Sequence, residues 1–164
     1  MSYKLYGAIG FGLGGLIAGI AGDYMVQAFL LSGFLGSAFL TIPARNIKLT
    51  VMAGIFGGIG FFIGFAVPIF VFLTFFELPL KYLFIGLFLG LTVGLLIGIV
   101  FRNIKDFMVW GTVGFGLSWW IAFSMLEWFR AALPGIFSGV VMMIACAIGG
   151  ACLGHAASKS KRRN

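Results

Sequence analysis

The chain has 164 residues, of which 62% are hydrophobic and only 9% charged, with a formal net charge of +7. So little charge cannot cover the surface of a soluble domain of this length, which excludes that class and makes bilayer the expected solvent. The basic balance does not indicate nucleic acid, because the cations stand at the edges of apolar runs and at the C-terminus rather than among base-stacking aromatics.

Charged residues divide the chain into six uncharged runs: Leu5–Gly22, Tyr24–Ala44, Leu49–Phe76, Tyr82–Phe101, Phe107–Leu126 and Ala131–Gly154. A membrane helix needs roughly 17–25 apolar residues, so each run predicts one span. The first also has the outline of a signal peptide, with Lys4 ahead of it and small residues in GIAG at 19–22. It is longer than the usual apolar region of such a leader and matches the later runs, so a retained span is the expectation. The second run carries Gln27, and Pro43 should end its helix. The third, at 28 residues, is too long for one untilted helix. Pro68 within it predicts a kink, or else a helix end followed by an interfacial segment.

The tetrapeptide RNIK follows the second run at 45–48 and the fourth at 102–105, 57 positions apart. At that offset Gly54 aligns with Gly111 and Gly57 with Gly114. Each odd run starts just after a lysine (Lys4, Lys48, Lys105) and is followed by an acid (Asp23, Glu77, Glu127). Similar flanks also arise from shared topology rules, but the repeated tetrapeptide points further. The fold predicted is an all-α integral membrane domain over 1–164, with six transmembrane helices as three tandem helical hairpins at about 4–45, 48–102 and 105–155, then a basic tail at 156–164.

Nine basic residues fall on one side of this arrangement: Lys4, Arg45, Lys48, Arg102, Lys105, Lys159, Lys161, Arg162 and Arg163, against the single acid Asp106. The positive-inside rule places that side, and both termini, in the cytoplasm. RNIK then reads as a stop-and-restart signal anchored at lipid headgroups, with Lys4, Arg45, Lys48, Arg102 and Lys105 as topology anchors.

Small residues recur at helix spacing: Gly10 with Gly14, Gly15 with Gly19, Gly54 with Gly58, Gly60 with Gly64, Gly135 with Gly139, and the row Gly86, Gly90, Gly94, Gly98. Oiliness cannot drive helices together in lipid, whereas close backbone contact over small residues can, so glycine-zipper packing is expected. Glycines lie on several sides of the first run, which predicts two partners for it or a central place. Packing within the bundle is the main expectation, with an added face for another subunit as the alternative.

No charged residue lies at mid-span, where ion sites and proton relays would show one. Ser32, Ser37, Thr92, Thr112 and Ser118 are the mid-span hydroxyls, each expected to bond back to its own helix. Trp110 and Trp128 fit the interfacial belts, whereas Trp119 and Trp120 lie deeper and need partners for their N–H groups, with Ser118 or Ser124 as candidates. Intramembrane protease patterns, metal-ligand spacing and nucleotide fingerprints are missing, so no catalytic residue, metal or cofactor is expected. Cys146 and Cys152, six apart, point to different helix faces and predict no disulfide within one helix. Asp23, Glu77 and Glu127 would form an outer-rim ring if the hairpins surround one axis, an arrangement that attracts cations; three solvated loop acids are the plainer reading.

The function these features predict is a non-enzymatic polytopic membrane component acting through helix–helix association. Its partners would be the lipid bilayer and either a homo-oligomer or another membrane subunit. The alternative is a small transporter or channel for a small neutral or lipophilic solute.

Overall fold

The computed structural model describes residues 2–21, 25–72, 80–129 and 135–163. Among these, six α-helices follow one another: α1 (Tyr3–Ile20), α2 (Met25–Thr41), α3 (Ile47–Phe72), α4 (Leu80–Val100), α5 (Ile104–Phe129) and α6 (Gly135–Arg163). All six are long and apolar enough to cross a membrane. Each packs on its neighbours in the chain, and α6 returns against α1, so the bundle is a closed ring.

The outer surface is built for lipid. Leu5, Ile9, Leu13 and Ile17 on α1 are exposed at four-residue spacing, and so are Val109, Val113, Leu117 and Ile121 on α5. Residues four apart share a helix face. Apolar side chains outside and glycine inside invert the arrangement of a soluble bundle, because lipid offers apolar groups no penalty for exposure.

The two RNIK segments form matching joints. A 3-10 turn, Ile42–Ala44, carries Pro43 and closes α2; proline cannot donate the backbone hydrogen bond that would continue the helix. Arg45 and Arg102 both adopt the left-handed conformation, at φ 51° and 55°. Asn46 then caps α3, its side-chain oxygen accepting from the Leu49 N–H at 3.1 Å. At the second joint the Asn103 carbonyl accepts from the Phe107 N–H, and its side-chain amide donates to Asp106. RNIK is thus a turn with a helix start built into it, as well as a pair of cations.

Pro68 is buried inside α3, which continues to Phe72, so the helix does not end at the proline. Its ring sits near the C-terminal end, where the lost bond disrupts little of the helix. The segment after 155 is not a loose tail. α6 runs on to Arg163, and Ala156, Ala157 and Ser160 are buried.

Candidate functional site

Glycine decides how closely the helices approach. Gly33 on α2 faces Gly57 on α3, Gly90 on α4 faces Gly111 on α5, and Gly150 on α6 faces Gly7 on α1. In each pair a Cβ on either residue would run into the other's backbone. The row Gly86, Gly90, Gly94, Gly98 lies along α5, against Phe115, Gly111, Phe107 and Ile104 in turn. On α1, Gly10 and Gly14 face α2, while Gly15 and Gly19 face α6. Gly54 meets the Phe34 ring, Gly58 the Leu30 carbonyl, and Gly139 the side chains of Leu16 and Ile20. Gly60 and Gly64 face Val93 and Thr92 on α4, and the surroundings of Gly135 lie outside the described side chains.

These pairs expose a sequence signal that the RNIK offset misses. The segments GAIGF (7–11), GGIGF (57–61) and GTVGF (111–115) occupy equivalent places on α1, α3 and α5. Gly7, Gly57 and Gly111 form the pairs above, while Phe11, Phe61 and Phe115 are fully buried. Their rings meet in a near-equilateral triangle, with centroids 5.7, 5.6 and 5.5 Å apart. In the register of these segments Gly111 corresponds to Gly57, three residues from the Gly54 with which the tetrapeptide offset aligns it. Burial follows the same register: Gly14, Gly64 and Ser118 are buried, as are Ala18, Pro68 and Ala122.

A second aromatic cluster continues the first away from the RNIK end. Phe29, Phe65 and Trp119 pack together with centroid separations of 3.8, 5.6 and 5.9 Å. Trp119 is fully buried; its Nε1–H lies beside the Cys146 thiol, a weak acceptor, with no nitrogen or oxygen partner among the described residues. Ser118 does not serve it: no oxygen accepts from the Trp119 Nε1–H among the described residues, and the Ser118 hydroxyl donates to the Gly114 carbonyl at 2.6 Å. Trp120 is exposed on the outer face. The axis of the ring is filled with rings.

Three mid-span hydroxyls bond back to their own helix, and two of them also reach across. Ser32 donates to Ala28 and to Gly14 on α1, and Thr92 to Phe88 and to Gly60 on α3. The Ser37 and Thr112 hydroxyls are buried with no partner among the described residues. Cys146 and Cys152 are free thiols. Among the described residues no three His, Cys, Asp or Glu side chains come together as a metal site. His155 packs edge-on against Trp110 at 4.6 Å, and the Lys159 ammonium lies 5.4 Å from the same ring.

Among the described residues, two open volumes bear on function. One, of about 540 Å³, lies at the RNIK end, walled by Tyr3, Ala44, Leu49, Val100, Phe101, Arg102, Ala157 and Ser160. The other is an outer groove of about 590 Å³ between α1 and α6, with Ala8, Gly12, Ala147 and Ala151 among its walls. Lys4, Arg45, Lys48, Arg102 and Lys105 are all exposed at the first end. Of the outer-rim acids, Glu127 is exposed near the end of α5, while Asp23 and Glu77 lie outside the described residues.

The chain matches no family model, no curated protein and no solved structure.

Proposed function

We propose that the protein is a non-enzymatic, polytopic membrane component that acts through helix association, and that the outer groove between α1 and α6 is the associating face. One observation carries this reading. Most of the predicted glycine faces are taken up between helices of the same chain, whereas the groove leaves Ala8, Ala147 and Ala151 half-buried above the buried Gly12, flanked by the exposed Ile9, Ile144 and Ile148. On other faces exposed side chains such as Leu117 and Ile121 hold a neighbour away. A helix of a second copy, or of another subunit, gains close backbone contact only over small residues.

The chain is read further as three tandem hairpins with glycine-zipper packing. The Gly–Gly pairs at 33/57, 90/111 and 150/7 and the recurring GxxGF segment support it. The nine cations at the RNIK end support cytoplasmic termini under the positive-inside rule.

Purification in mild detergent, with native mass and identification of co-purifying chains, tests the association. A homo-oligomer or a stoichiometric partner is expected, and Ala8→Phe with Ala151→Phe should release it by filling the groove. A lone wild-type chain without a partner would sink the reading. The pocket at the RNIK end would then favour the second reading, a carrier or channel for a small neutral or lipophilic solute. Because Phe11, Phe61 and Phe115 fill the axis, such passage requires those rings to move, and liposome flux would follow their replacement by Ala.

A further inference from the structure

The two RNIK joints differ in the residue just before them: Phe101 at the second, Ala44 at the first. Phe101 is packed, stacking on Phe107 at 4.9 Å and meeting Tyr3 edge-on at 6.5 Å. Ala44 supplies no ring at the matching place, and it forms part of the wall of the 540 Å³ pocket. The cavity thus coincides with a departure from the pattern of the other joint.

We propose that this pocket binds an anionic phospholipid of the surrounding leaflet, the upper acyl segment against the apolar wall and the phosphate against Arg102. Three observations carry this. The walls are chiefly apolar, from Leu49, Val100 and Phe101, with Arg102 the one charged residue among them. Sites of several hundred Å³ with apolar walls and a few placed polar groups take amphiphilic ligands. Of the other polar wall residues, Ser160 already donates its hydroxyl to the Phe101 carbonyl at 3.2 Å and Tyr3 carries no charge, which leaves Arg102 as the group suited to a charged head. A guanidinium pairs with phosphate through two parallel hydrogen bonds. Finally, the pocket lies where the spans end, among the exposed cations Arg45, Lys48 and Lys105. That is the depth of the headgroups, and basic pockets between transmembrane helices select anionic ones. The site is separate from the α1–α6 groove and does not depend on association.

The test uses delipidated full-length protein in mild detergent, titrated with dioleoylphosphatidylglycerol, dioleoylphosphatidylcholine or inorganic phosphate. Native mass spectrometry and thermal unfolding are the readouts. The wild type should bind the anionic lipid about tenfold more tightly than the zwitterionic one and be stabilised by it. Ala44→Phe, which installs the ring found at the other joint, should fold normally and lose the bound lipid. Should that variant not fold, Val100→Phe narrows the same pocket. Arg102→Gln should keep lipid binding but lose the preference for anionic lipid, whereas Lys105→Gln, which does not line the pocket, should keep both. Equal binding of the two lipids by the wild type would overturn the proposal. So would an undiminished lipid adduct on the filled pocket, or equal losses in the Arg102 and Lys105 variants. Stabilisation by inorganic phosphate that matched the lipid would mark a simple anion site and overturn it as well.

Discussion

Gly90 on α4 and Gly111 on α5 lie backbone to backbone, so that a Cβ on either would collide with the other's carbonyl. The same relationship holds for Gly33 with Gly57 and for Gly150 with Gly7. These contacts set how closely the helices pack around the aromatic core. The energy comes from dispersion and close approach rather than from expulsion of water.

Replacing Gly90 or Gly111 with Ala should therefore destabilise the bundle by about 1–3 kcal/mol, the usual cost of overpacking, and Leu by more. Leu117→Ala, on the lipid-facing side of α5, should stay within about 0.5 kcal/mol of wild type. Unfolding in mixed detergent micelles reads both. Equal effects at the two positions would mean that the Gly–Gly contact is not limiting.

The aromatic triangle predicts a second ordering. Phe61→Ala and Phe115→Ala should each cost about 2 kcal/mol, below the ~3–5 of a soluble core because the separated helices already sit in apolar surroundings. Removing both rings together should fall short of the sum, since each is the other's neighbour at 5.5 Å. A thermal-unfolding double-mutant cycle measures the shortfall, and strict additivity would argue that the rings do not pack as a unit.

Arg45 and Arg102 carry a left-handed backbone that costs a side-chain-bearing residue roughly 1–2 kcal/mol. Gly at either position relieves this but adds unfolded-chain entropy, so a net gain of about 0.5 kcal/mol is expected. Val at the same positions should lose stability, because a branched Cβ tolerates that conformation worst. Chemical-denaturation midpoints of the four single variants test the sign. A gain with Val would contradict the joint geometry.

Ser32 and Thr92 each tie two helices together, whereas the Ser37 and Thr112 hydroxyls are buried without a partner among the described residues. Ser32→Ala and Thr92→Val should cost about 0.6 kcal/mol each, the average for interhelical bonds in membranes. Ser37→Ala and Thr112→Val should be neutral or stabilising, since they remove an unsatisfied polar group. Comparing the four midpoints under one set of conditions separates the two classes.

Much of this fold was legible in the chain. The six apolar runs predict the six helices, and Pro43 stands where α2 closes. The recurring GxxGF segment is also written in the chain, at an offset different from that of the tetrapeptide. Gly57 stands nine residues after Lys48, whereas Gly111 stands six after Lys105. Aligning the joints therefore pairs Gly54 with Gly111, whereas Gly57 and Gly111 each face a glycine across a helix interface and Gly54 faces the Phe34 ring. Trp119 was legible as a deep indole, but not that its neighbour would be Cys146 on another helix.

The sequence by itself determined how many segments cross and how the chain turns between them. Bilayer thickness fixes helix length, and local cap chemistry fixes the joints, so both are written in short stretches. Only the tertiary structure decided which glycine meets which, that α6 closes the ring on α1, and that a pocket opens between Ala44 and Phe101. A glycine in an apolar helix permits close approach on any side, so its partner is chosen by the packing of all six helices together.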